Sequence, residues 1–169
     1  MTSLVLTILG PDRVGLVEAL SDTVTRHEAN WLESRMSQLA GQFAGLLRVS
    51  VPPNKTEGLI EALRSLEAVQ VHVLRSDRVT EPATQLVHLR LVGHDRPGIV
   101  ADITHALAAD GVNVEDLETH CEAAAMSGDP LFHARAVLRV PADLDMDDVA
   151  HGLEKIANDL MVEIDLEEA

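Results

Sequence analysis

Two short segments hold the residues best suited to binding chemistry. Gly10-Pro11-Asp12-Arg13-Val14-Gly15 follows the apolar run Leu4–Leu9, and Gly93-His94-Asp95-Arg96-Pro97-Gly98-Ile99 follows Leu86–Val92, at an offset of 83 residues (93 − 10). In each, an apolar run enters a glycine-bounded turn that opens a helix. A helix start presents backbone N–H groups and the positive end of the helix dipole, so it attracts carboxylates and phosphates. Asp12 and Asp95 are placed to cap the helices, and Pro97 suits a first helical turn. Gly10 and Gly93 permit a sharp bend after the strand. Gly15 and Gly98 read as lying inside the first turn, where glycine costs about 1 kcal/mol relative to a good helix former. Such a glycine, twice, implies close approach by a neighbouring backbone or by the carboxylate of a small ligand. The residues alone leave both open.

Other chemistry is weaker. Six of the eight histidines (His88, His94, His105, His120, His133, His151) fall in the second half, but none forms an H-x-x-x-H pair or other tight ligand spacing. No metal site and no cofactor are expected. Cys121 would need a nearby base to act as a nucleophile, and its acidic surroundings should raise its pKa. Asp143 to Asp148 reads as a helix start, where negative charge is favourable. Glu167-Glu168 reads as a chain end. No Gly-x-Ser-x-Gly, P-loop or dinucleotide fingerprint occurs. No residue is expected to be catalytic, and the chain reads as a non-enzyme. Trp31, the only tryptophan, suits core or interface, or the border of a pocket.

The elements that must position the two turns also occur twice. In the first copy, residues 4–9 form a strand. A helix begins at Asp12, with Val14, Val17, Leu20 and Val24 turned to a sheet, and ends near His27–Ala29. Asn30–Ser37 and Gln42–Val51 are strands around a turn at Gln38–Gly41, and Pro52-Pro53 stops the second of them. Leu59, Ile60, Leu63 and Leu66 mark another helix, and Val69, Val71 and Val73 a fourth strand. In the second copy the elements are 86–92, a helix carrying Ile99, Val100, Ile103 and Leu107 and ended by Gly111, strands 112–120 and 131–140, a helix lined by Met146, Val149, Leu153 and Ile156, and 160–166. Phe43 aligns with Phe132 at an offset of 89, so six residues (89 − 83) are added between Cys121 and Pro130, where a lid or contact surface is expected. The linker runs from Ser76-Asp77 to Ala83-Thr84, hinged at Glu81-Pro82. The domains are therefore 1–80 and 85–169, joined by 81–84. The order βαββαβ predicts an α+β fold: two ferredoxin-like units, each a four-stranded antiparallel sheet with two helices on one face. Val5 and Leu9 would stand on the bare face, which should pair with the sister unit or another chain.

Bulk properties narrow the function. The 169 residues carry a net charge of −15. Residues 1–82 hold 8 Lys/Arg and 10 Asp/Glu (−2), and residues 83–169 hold 5 and 18 (−13). Such a surface repels phosphate, so direct nucleic acid binding is not expected, and a protein partner is. A single cysteine suits a reducing cytoplasm. No apolar run nears the ~20 residues of a membrane span, and the N-terminus lacks the features of a signal peptide.

Gly-x-Asp-Arg-x-Gly-[Leu/Ile]-Val, with an Asn fifteen residues after the second Gly (Asn30, Asn113), resembles the ACT domain, and the resemblance spans nearly the whole chain. It implies a regulatory module that binds amino acids at the strand-to-helix turn. Carried over, the ligand residues would be Gly10, Pro11, Asp12, Arg13, Val14, Gly15 and Asn30, and Gly93, His94, Asp95, Arg96, Pro97, Gly98, Ile99 and Asn113. Copy one has Val14 in place of Pro97, and Asp-Arg-Pro-Gly is the fuller match, so the second turn is favoured. A stand-alone ACT pair with a longer second hairpin is similar to the glycine cleavage system transcriptional repressor family. That resemblance implies glycine as the signal, a LysR-type transcription activator as the partner, and a homo-oligomer. The alternatives are a ligand-free ACT interaction module and a regulatory subunit of an amino-acid or one-carbon enzyme.

Overall fold

The computed structural model describes residues 1–67, 69–76, 83–124 and 129–168. They fall into two compact units, Met1–Val79 and Thr80–Ala169. Unit 1 contains β1 (Thr2–Pro11), α1 (Leu16–Arg26), β2 (Asn30–Leu39), β3 (Gln42–Val51), a 3-10 turn over Pro53–Lys55, α2 (Thr56–Arg64) and β4 (Gln70–Arg75). Unit 2 repeats the order with β5 (Thr84–His94), α3 (Ile99–Ala109), β6 (Asn113–Ala123), β7 (Pro130–Pro141), α4 (Met146–Leu160) and β8 (Val162–Glu168). The sheets run β2-β3-β1-β4 and β6-β7-β5-β8, with every neighbouring pair antiparallel. This is the ferredoxin-like α+β arrangement, made twice. The expected hinge at Glu81-Pro82 lies outside the described residues, and Thr84 already belongs to β5.

Period-2 alternation decides which face of each sheet is covered. Leu4, Leu6 and Ile8 are fully buried, while Leu9 between strand end and turn is exposed. Leu47, Val49 and Val51 of β3 join the same core, closed by Leu16, Leu20 and Val24 of α1 and Leu59 and Leu63 of α2. In unit 2, Val87, Leu89 and Leu91 pack with Leu138 and Val140 under Ile99, Ile103, Leu107, Val149 and Leu153. The side chain of Ile156 lies outside the described residues.

Three sequence expectations are corrected here. Helix α1 starts at Leu16 and not at Asp12, so its buried stripe is Leu16, Leu20 and Val24; Val14 and Val17 face solvent. Val100 is likewise exposed on α3. Gly10 and Gly93 are strand residues in register with Phe43 and Phe132, and do not make the bend. At Gly93 the reason for glycine is space, because a Cβ there would lie 2.2 Å from Val162 Cγ1 on β8. A bulge that residue types do not announce interrupts both second strands at matching places, Trp31/Glu33 and Val114/Asp116. The bulged residue of unit 2, Glu115, pairs with Arg139, and both are mostly buried.

The uncovered faces differ. That of unit 1 carries Leu9, Leu46 and Leu74, each about half exposed. That of unit 2 exposes Leu86 and Val92 but is more charged: Arg90 stands between Arg135 of β7 and Asp165 of β8, and Arg135 faces Glu118 of β6. Gly93→Ala should destabilise the protein by about 1–3 kcal/mol through overpacking against Val162, read as a lower melting temperature. Gly93→Ala combined with Val162→Ala should recover part of that loss.

Candidate functional site

The two turns share one backbone device. Gly15 (φ 86°, ψ 1°) and Gly98 (φ 91°, ψ −4°) are the N-cap residues of α1 and α3, both left-handed. They precede their helices, as Pro97 does, and Asp12 and Asp95 cap neither; both helix starts lack a side-chain cap. Among the described residues, a Cβ on Gly98 would meet nothing within 4 Å, and one on Gly15 only Glu18 Oε2 at 3.6 Å. Glycine is therefore demanded by its φ and not by a neighbouring backbone, and the space beside Gly98 is open. The Asp12 N–H donates instead to the Gly41 carbonyl (2.9 Å), and the Asp95 N–H to the Pro130 carbonyl (3.0 Å). Each turn is thereby tied to the hairpin beside it. The Leu16 and Ile99 N–H groups have only long 3.4 Å contacts, to the Arg13 and Arg96 carbonyls.

Charge separates the copies. Arg13 donates to the Glu67 carbonyl at 2.7 Å, whereas Arg96 pairs with Asp102 on α3. Asp102 aligns with Ala19 (102 − 83), so copy one has no carboxylate at that point. Conversely, Glu18 in the first turn of α1 aligns with Ala101. An anion approaching Gly15 meets the Glu18 carboxylate; one approaching Gly98 meets a methyl group and a neutralised Arg96–Asp102 pair.

The asparagines stand elsewhere. Asn30 faces Ser50, which faces Ser3, at the far end of β1 from Gly10. Asn113 faces Arg139, which faces Leu86, seven residues from Gly93. At about 3.3 Å per residue, each is ~23 Å along the sheet from its own turn. One unit does not bring them together. Trp31 lies at that far end too, packed on the unit 1 core with its Nε1 donating to Ser34 Oγ at 3.3 Å.

Beside the second turn, Cys121 is exposed. Desolvation pushes its thiol up, helped by the charge of Asp95 and a hydrogen bond to that carboxylate. The thiol is therefore protonated at neutral pH, in line with the sequence expectation, and makes a poor nucleophile. Asp95→Asn should lower the Cys121 pKa, so that alkylation by iodoacetamide accelerates and its pH profile moves to lower pH. An unmoved profile would show that Asp95 does not act on the thiol.

Sequence spacing missed one group of side chains. His120, Glu122 and His133 come together on the uncovered face of unit 2, each offering a donor atom within 4.8 Å of the others. His-x-Glu at strand spacing was the visible half of this signal. The other half needed the β6–β7 register. Residues 125–128, within the expected lid, lie outside the described residues; the hairpin on either side of them is extended by the Ala123/Pro130 pair and the Ala124 N–H to Asp129 carbonyl bond (2.8 Å).

A strand-to-helix turn without a side-chain cap on a βαββαβ unit, made twice, defines a tandem of one small α+β module. Residues 2–73 and 82–162 each match the ACT domain family, and the chain belongs to it. Across nearly its full length the chain is similar to the glycine cleavage system transcriptional repressor of Escherichia coli K12, 23% identical over 162 residues, spanning 93% of this chain and 85% of that protein. The protein of the same name from Shigella flexneri matches equally. A crystal structure of an unknown protein from Galdieria sulphuraria superposes with a TM-score of 0.90 at 34% identity, over 99% of this chain and 98% of that one. A structure provisionally described as a glycine cleavage system transcriptional repressor shares the fold, with a TM-score of 0.71 at 19% identity, over 99% and 97%. Among the described residues, no helix is long and apolar enough to cross a membrane.

Proposed function

We propose that this protein is a non-enzymatic regulator that senses a small amino acid, glycine first, at the turn Gly93–Gly98. The observation that carries this reading is the uncapped start of α3 behind the left-handed Gly98, with open space beside it and no carboxylate at Ala101. The ligand carboxylate would take the N–H groups of the first turn of α3, and Asp95 would receive the ammonium. Glu18 makes the Gly10–Gly15 turn the weaker site. An asparagine joins such a site only when a second ACT unit presents it, which a homo-oligomer would allow. The exposed Leu9, Leu46 and Leu74 supply an apolar face for that association. The acidic surface argues for action through a protein partner and against contact with DNA; the likeness to the repressor family suggests that partner is a LysR-type transcription activator of the glycine cleavage system, in the cytoplasm.

Calorimetry of the full chain against glycine, serine and the other amino acids tests this. Saturable binding of glycine is expected. Gly98→Ala should weaken it about five- to thirtyfold, because a non-glycine residue at this φ costs about 1–2 kcal/mol or shifts the turn. Gly15→Ala carries the same strain and should leave the affinity unchanged. Absence of heat with every amino acid would overturn the sensing role, and an unaffected Gly98→Ala variant would move the site elsewhere. A mobility shift of DNA by the protein alone at physiological salt would contradict the argument from charge.

A further inference from the structure

We propose that unit 2 binds a divalent transition-metal ion through His120, Glu122 and His133. His120 and Glu122 are two apart on β6 and so share a face, and His133 of β7 stands directly opposite His120 in the ladder. The two imidazole rings lie parallel, with centroids 4.8 Å apart and planes 6° from coincidence. His133 Nε2 is 3.0 Å from Glu122 Oε1. That nitrogen is closed off from solvent, yet makes no aligned hydrogen bond among the described residues. A buried ring nitrogen in this condition is costly, and a metal ion facing its lone pair removes the cost.

The donor chemistry sets the class of ion. Two imidazoles and one carboxylate suit Zn2+ and its neighbours Co2+ and Ni2+, whereas Mg2+ and Ca2+ take oxygen ligands. A tetrahedral ion with bonds of about 2.1 Å needs donors about 3.4 Å apart; the present donors lie within 4.8 Å of one another, and binding turns the two parallel rings so that both in-plane lone pairs meet the ion. Three protein donors leave a position for water. The cluster is particular to the second unit, because the same places in unit 1 hold Ser37, Leu39 and Ala44. The charge of −13 over residues 83–169 favours a cation there. Bound, the ion would join β6 to β7 one ladder step from Pro130, whose carbonyl holds the Asp95 N–H.

The test is a titration of the untagged, metal-stripped full chain with Zn2+ by calorimetry and with Co2+ by visible absorption. One ion per chain is expected, with Co2+ giving the ligand-field bands of a site containing nitrogen donors. His120→Ala, Glu122→Gln and His133→Ala should each weaken binding at least about tenfold, while His105→Ala leaves it unchanged. His120 and Glu122 are exposed on the sheet, so their variants report even if His133→Ala fails to fold. No stoichiometric binding, or binding undiminished in folded His120→Ala and Glu122→Gln proteins, would overturn the proposal.

Discussion

One backbone angle at the end of each strand-to-helix turn organises both units. A positive φ at Gly15 and Gly98 lets the chain leave the sheet and start a helix within a few residues. It sets the phase of that helix, so that Leu16, Leu20 and Val24, or Ile99, Ile103 and Leu107, meet the apolar face of the sheet. The same angle keeps the preceding residues out of the helix. Arg13 and Arg96 are then free to reach sideways, to Glu67 and Asp102, and the first N–H groups of the helix stay uncapped. Packing and site thus depend on the same residue: the conformation that seats the core also leaves the donors open.

This explains what could be read from the sequence. Strand alternation, proline stops and the 83-residue repeat carry the element order, because burial on one face imposes period 2 and period 3.6 directly on residue type. The glycine motif was legible as a turn, but its conformation was not. Asp12 has the chemistry of an N-cap, and sequence cannot distinguish an Asp that caps from one three residues too early. Taking Asp12 as the cap moves the helix start by three residues and puts Val14 and Val17 on the wrong face. Gly93 looked like a bend for a similar reason. Its true constraint, the Val162 side chain, comes from a strand nearly seventy residues away. The Asn30 and Asn113 positions were legible as a motif, but only the register shows that each lies at the far end of the sheet from its own turn.

The copies keep their cores and exchange their surfaces. Position by position, Glu18 becomes Ala101, Ala19 becomes Asp102, and Ser37, Leu39 and Ala44 become His120, Glu122 and His133. None of these side chains belongs to the buried core of either unit, so such exchanges cost the fold little. They alter what each unit offers to solvent. Unit 1 presents leucines on its open face, and unit 2 presents paired charges and imidazoles.

The hairpin explains how the second copy could diverge next to its turn without losing it. Gly41 and Pro130 correspond at the offset of 89, and each accepts the N–H of the turn aspartate. The six added residues therefore fall beyond this anchor, toward the tip. Lengthening a hairpin tip costs little loop entropy, and the anchor hydrogen bond holds the turn in the same relation to the sheet in both units. Growth at this place brings new side chains near the open helix start. Cys121 already lies against Asp95, and the imidazoles of His120 and His133 stack on the opposite face of the same two strands. A hairpin that is hydrogen-bonded to the turn can thus change what surrounds the open helix start while the architecture of the unit stays the same.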